Sequence, residues 1–169
     1  MEDLIINKVA ESGLVTIDLA DYYPKEEPIV FDLKDHLFMG LILKEKDFRE
    51  ALKTTDWSTY INKNVAITCS ADAIIPLWAY MLVTTYLKPY TNEIVFGTKE
   101  NLISSLLIRN LASLPVEDYK DAKVMVKGCG DKSIPEAAYV EITKLLTPVV
   151  KSIMYGEACS TVPIYKQKK

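Results

Sequence analysis

Cys69, Cys129 and Cys159 each stand where an apolar run gives way to a loop: Cys69 ends one predicted strand, Cys129 lies just beyond a second, and Cys159 follows the last. In an open parallel sheet, ligands bind beyond the carboxyl ends of the strands. Neighbouring strands lie about 4.8 Å apart, so loops one or two strands apart are within about 5–10 Å of each other. The expectation is that the three thiols converge. Three thiolates with a fourth ligand suit zinc or an iron–sulfur cluster. The fourth could be His36, the only histidine, or Asp72, Asp131 or an exogenous group. No Cys-x-x-Cys is present, so such a site would be assembled from separate loops.

Two other readings of the same residues stay open. Cys69 and Cys129 precede helical patterns, and a helix N-terminus lowers a thiol pKa and makes it reactive. Asp72 and Asp131 would oppose that by their charge, unless one of them serves as an acid or base. Alternatively the cysteines are small core hydrophobes. The loop Gly128-Cys129-Gly130-Asp131-Lys132-Ser133 looks like a phosphate cradle but matches neither glycine-rich phosphate motif. Its backbone at Gly128 and Gly130 could hold an anion with Lys127 or Lys132 assisting, although a tight strand-to-helix turn explains the glycines as well. His36 follows Asp32 and Asp35, which could orient an imidazole. A serine-hydrolase triad would have to use that histidine, and no Gly-x-Ser-x-Gly elbow supports one.

The elements that position these loops are duplicated. A shift laying Pro76 on Pro135 aligns Tyr60–Gly97 with Tyr119–Gly156 without a gap and gives twelve identities, where chance gives roughly two. Among them are Asp72/Asp131, Tyr80/Tyr139, Thr84/Thr143, Leu87/Leu146 and Gly97/Gly156. The cysteines fall one position out of register, so the repeat accounts for the loops and not for the thiols. Short strand-like runs at Val65–Thr68 (mostly β-branched), Ile94–Phe96, Val124–Val126 and Ser152–Tyr155 alternate with helical patterns at Ile75–Lys88, Glu100–Ser113 and Ile134–Leu146. That alternation implies crossovers and a mainly parallel sheet. Ser133 and Glu136 have the spacing of a capping box.

Before the repeat, the pattern predicts a helix over Glu2–Ser12, strands at Val15–Leu19, Ile29–Leu33 and Phe38–Leu43, and a helix at Lys46–Lys53. Strands so close in sequence favour antiparallel pairing. The expected architecture is one α/β domain over residues 1–169. It has two βαβ-type repeats (60–97 and 119–156) in a mainly parallel sheet with helices on both faces, plus an antiparallel N-terminal extension. The helix over Ile75–Leu87 carries no charge, so it needs cover on more than one side. Either the N-terminal strands supply it or a second copy does, and a homodimer is the expectation taken forward.

Composition excludes several classes. With 49% apolar and 25% charged residues the chain has the make-up of an ordinary globular protein. A net charge of −3 and the lack of a basic stripe argue against nucleic acid as a partner. The longest apolar run, Ala73–Val83, is too short to span a bilayer and is broken by Pro76. The acidic Met1-Glu2-Asp3-Leu4 start is unlike a signal peptide, so a cytoplasmic location is expected. An odd number of cysteines in a reducing compartment leaves free thiols or metal ligands. A small molecule at the strand carboxyl ends is the partner this architecture would take.

Six stretches, taken together, resemble one family. They are Phe31-Asp32-Leu33-Lys34-Asp35, Leu43-Lys44-Glu45-Lys46-Asp47-Phe48-Arg49, Cys69-Ser70-Ala71-Asp72-Ala73, Lys127-Gly128-Cys129-Gly130-Asp131-Lys132, Ser152-Ile153-Met154-Tyr155-Gly156-Glu157 and Cys159-Ser160-Thr161-Val162-Pro163. The chain is similar along essentially its whole length to a bacterial family designated domain of unknown function 2480. The resemblance implies a single-domain cytoplasmic protein. It brings no activity, and no catalytic or binding residue can be carried over from it.

Overall fold

The computed structural model describes residues 13–128, 130–157 and 160–168. The helix expected over Glu2–Ser12 lies outside them. The architecture is mixed α/β and mainly parallel, as the alternation of strands and helices implies. Its strands are divided over two sheets, one for each copy of the repeat. The chain forms two compact units: residues Pro24–Ser105 make one, inserted within the other, which comprises Met1–Tyr23 and Leu106–Lys169.

In the inserted unit, β2 (Ile29–Asp32), β3 (Asn64–Thr68) and β4 (Glu93–Phe96) form a parallel sheet with β3 in the middle. Helix α1 (Glu45–Thr54) follows β2, α2 (Leu77–Leu87) crosses from β3 to β4, and α3 (Lys99–Leu111) leads out of the unit. Four consecutive residues of β3 are buried, Asn64 to Ile67, as a central parallel strand requires. Against them pack Ala79, Val83 and Leu87 of α2, Phe48 and Leu52 of α1, and Trp57. Trp57 stacks between Phe31 and Tyr86, with centroids at 5.9 and 5.3 Å, and its indole N–H donates to the Leu52 carbonyl at 2.9 Å. A ring of that size is tolerated inside because its one polar atom has a partner.

The split unit repeats this plan. β1 (Leu14–Asp18), β5 (Lys123–Lys127), β6 (Ser152–Glu157) and β7 (Ser160–Lys166) lie side by side in that order. Helix α4 (Glu136–Leu146) crosses from β5 to β6 and buries Ala138, Ile142 and Leu146, the counterparts of the three buried residues of α2. The duplication extends to backbone detail. Asn62 and Asp121 share a positive φ of 58° and 57° ahead of β3 and β5, and their amides donate to Tyr90 and Val149. Thr84 and Thr143 each bond the carbonyl of the tyrosine one turn earlier at 2.7 Å.

The antiparallel N-terminal extension is corrected. β1 pairs in parallel with β5, and β2 in parallel with β3. Both β3 and β5 are buried strands with a partner on one side from their own repeat. Each needs a second to satisfy its backbone N–H and C=O groups. The two early strands fill those edges, one in each unit. The antiparallel pairing lies at the other end of the chain, between β6 and β7.

The expected strand over Phe38–Leu43 is instead a three-residue turn, Met39 to Leu41, closed by a single bridge between Phe38 and Ile42. Met39 and Gly40 at its tip both have positive φ, as tight hairpins demand. The capping box is also corrected. The residue at the N-cap of α4 is Pro135, in an extended conformation, and no side chain caps the helix. A residue before proline is pushed out of the helical region, so Ile134 cannot begin a helix capped by Ser133.

Candidate functional site

In each sheet the carboxyl ends of the parallel strands lead into loops that carry predicted residues. In the inserted unit Cys69 comes directly after β3 and is half-buried, its thiol 3.7 Å from the Ala71 carbonyl. Burial raises the pKa of the nearby Tyr80 hydroxyl, and the Cys69 sulfur adds to the effect. Asp72 is exposed on the same loop.

The organiser of this loop is Asp32, expected from the sequence only as an orienting partner for His36 and found bonded to Ser70 and Lys34 instead. Asp32 Oδ1, at the end of β2, accepts the Ser70 amide at 3.0 Å and the Lys34 amide at 3.0 Å. Its Oδ2 accepts the Ser70 hydroxyl at 2.6 Å. Burial works against the charge of Asp32. The hydrogen bonds from Ser70 and Lys34, with the Lys34 ammonium 3.7 Å away, outweigh it and hold the carboxyl below its ordinary range. The signal was present in the sequence: Ile17-Asp18-Leu19 and Phe31-Asp32-Leu33 are an earlier pair of repeated elements. Both aspartates cap a 3-10 turn (Leu19–Tyr22 and Leu33–His36) and both leucines are buried.

Asp18 is the counterpart in the split unit. It accepts the Ala20 amide at 2.9 Å and pairs with Lys127 at 3.1 Å across the sheet. The hydrogen bond to Asp18, reinforced by its charge and that of Glu157, keeps the Lys127 ammonium above its ordinary pKa. Gly128 follows directly. A Cβ there would collide with the hydroxyl of Tyr139, so the glycine is demanded by close packing of α4 on the turn. Gly130 stands in open space, Asp131 is exposed, and the Lys132 ammonium lies 4.4 Å from the Tyr23 ring centroid. Cys129 and Cys159 lie outside the described residues. The strands before them do not: β5 ends at Lys127, β6 ends at Glu157, and the two are hydrogen-bonded neighbours.

His36 is placed as an aromatic slab. It stacks on Phe31 with centroids 5.4 Å apart and meets Phe48 edge-on at 5.2 Å. A cavity of about 290 Å³ opens beside it, with Asp35, Lys44 and Asp47 among its walls. Among the described residues, no group of three His, Cys, Asp or Glu side chains could hold a metal. Burial lowers the His36 pKa from its ordinary 6.5, with Asp35 opposing. A base with a depressed folded pKa takes up its proton more readily when unfolded. Its contribution to stability is therefore complete above the ordinary value and is lost as the pH falls through the depressed one. Urea midpoints should drop as the pH falls below about 7, and His36→Phe should flatten that drop. An unchanged slope in the variant would contradict this account.

No helix among the described residues is long and apolar enough to cross a membrane. A family model described as "Protein of unknown function (DUF2480)" matches residues 3–167, and the chain belongs to that family. No curated protein and no solved structure matches it.

Proposed function

We propose that this member of the family is a cytoplasmic metal-binding protein whose ligands are loop thiols at the carboxyl ends of its strands. Cys129 and Cys159 carry the reading. Each follows its strand by two residues, and β5 and β6 are adjacent and parallel. Adjacent strand ends are about 4.8 Å apart, which two short loops can bridge with a single ion. Asp131 is the nearest further ligand by sequence, and thiolates with an oxygen ligand suit zinc. An iron–sulfur cluster would need more sulfur. Cys69 belongs to the inserted unit; Asp72 and His36 rank behind the thiols.

Protein purified without oxygen should contain about one metal ion per chain by elemental analysis, and Cys129→Ser and Cys159→Ser should each lose it. Cys69→Ser, made in parallel, decides between two and three thiolates. The absorption spectrum separates zinc from iron. Natively folded protein free of metal overturns the reading, and fast alkylation of one cysteine at neutral pH would then point to a metal-free thiol enzyme.

A second reading is a homodimeric scaffold, and α2 favours it. Leu77 and Met81 are 79% and 71% exposed on a helix without a charged residue. Such a face suits a two-fold contact with a second copy. Elution of the same sample at the mass of one chain removes this reading.

A further inference from the structure

The split unit contains a cavity of about 300 Å³ between α4 and strands β5 to β7. Among the described residues that line it, six belong to the repeat: Val126, Tyr139, Thr143, Ile153, Met154 and Tyr155. Their counterparts in the inserted unit are Ile67, Tyr80, Thr84, Ile94, Val95 and Phe96, all uncharged. The remaining one, Ile164, has no counterpart, because the sheet of the inserted unit ends at β4.

The position of Ile164 has a specific cause. In the β6–β7 pairing Ile153 faces Tyr165 while Met154 faces Pro163, so Ile164 is an extra residue with no partner opposite. A bulge of this kind bends the strand and re-aims a side chain. Pro163 is tolerated beside it because β7 is an edge strand. Ile164 thereby becomes a wall of the cavity.

The chemistry of the walls is narrow. Among the described residues that line the cavity none is charged. The Thr143 hydroxyl is spent on the Tyr139 carbonyl at 2.7 Å. Tyr139 and Tyr155 meet at a ring angle of 72° with centroids 5.8 Å apart, which offers aromatic surface in two orientations. An apolar cavity of about 150 Å³ holds one benzene ring, so about 300 Å³, open on one side at Tyr155 and Ile164, has room for two fused rings.

We propose that the cavity binds a neutral, planar aromatic compound of two fused rings, held by stacking and edge contacts with Tyr139 and Tyr155. The site is independent of the metal reading, since none of its residues is a proposed ligand. Indole is the probe, titrated into the full chain by calorimetry. Saturable heat with about one indole per chain is expected, with indole-3-acetate binding at least about tenfold more weakly because its carboxylate would be desolvated without a partner.

Ile164→Trp should fill the cavity and remove the indole heat. Ile164 is 52% exposed on an edge strand, so the larger side chain should leave the fold intact by circular dichroism. Ile164→Asp is the second variant, expected to weaken indole by at least about tenfold through a charge in the wall. Val140→Ser, on the outer face of α4, should bind as the parent does. Absence of saturable heat with the parent protein, or unchanged binding in both Ile164 variants, overturns the proposal.

Discussion

Asp32→Ala is expected to lower the unfolding free energy by about 3 kcal/mol at neutral pH, read from urea midpoints, and to speed alkylation of Cys69. Two losses add up to that figure. The cap on the Leu33–His36 turn is worth about 1 kcal/mol, and bonds from a charged acceptor to Ser70 are worth about 2 more. The Asp32 side chain is only 15% exposed, whereas Ser70 is exposed and water takes up part of its bonding in the variant. Ser70 adjoins Cys69, and Asp32 ties it to the end of β2 from 38 residues away. Cutting that tie frees the loop that carries the thiol. The pH dependence follows with a definite sign. Asp32 titrates below its ordinary range when folded, so its contribution is complete above that range and is lost as the pH falls through the depressed value. The gap between parent and variant should therefore close in acid. Asp18→Ala should cost less, about 1–2 kcal/mol, because its carboxylate has one amide and one lysine ammonium in place of three close donors. Equal costs in the two variants would refute the account of Asp32 as the tighter anchor.

Asp32 also shows what the chain disclosed and what it withheld. The duplicated helices were legible because burial at Ala79, Val83 and Leu87 imposes the same spacing on Ala138, Ile142 and Leu146. The match of Pro76 to Pro135 fixed the register. Pairing of the first two strands was not legible. Val15–Leu19 and Ile29–Leu33 sit close together in sequence, and nothing local shows that each completes a different sheet. That choice is made by the unpaired edges of β3 and β5, which are distant in sequence. The bonds of Asp32 depend on it, since Ser70 comes within reach only once β2 lies beside β3. Strand β7 was hidden for another reason. Pro163 interrupts the apolar alternation of Ser160–Lys166, and only an edge position with a bulge reconciles it with a strand. The unpredicted wall of the cavity came with it. Of the thiols that prompted the metal reading, Cys69 is placed at a strand end as expected, and Cys129 and Cys159 lie outside the described residues.

The repeat supplies a matched pair for the second large effect. Gly97 directly follows β4 and Gly156 lies within β6 at the equivalent position of the repeat, with φ of 126° and 113°, where side chains are strained. Alanine at either site should cost roughly 1–3 kcal/mol for the backbone alone. Their surroundings then separate them. A Cβ at Gly97 would come within 2.6 Å of the Asn101 side-chain oxygen, which caps Thr98 and can swing aside with the loss of a cap. A Cβ at Gly156 would collide with the backbone carbonyl of Ser160, which is fixed by the pairing of Gly156 with Thr161 and Glu157 with Ser160. Backbone cannot yield as a side chain does without breaking ladder bonds. Gly156→Ala is therefore expected to cost about 4 kcal/mol and Gly97→Ala about 2. Thermal unfolding gives the order, and hydrogen exchange locates the damage. Faster exchange at the β6–β7 amides in Gly156→Ala, with β3 unchanged, is the expected pattern. Because β7 carries Ile164, the same variant should lose indole heat while still folded, which couples the turn glycine to the cavity through the strand between them.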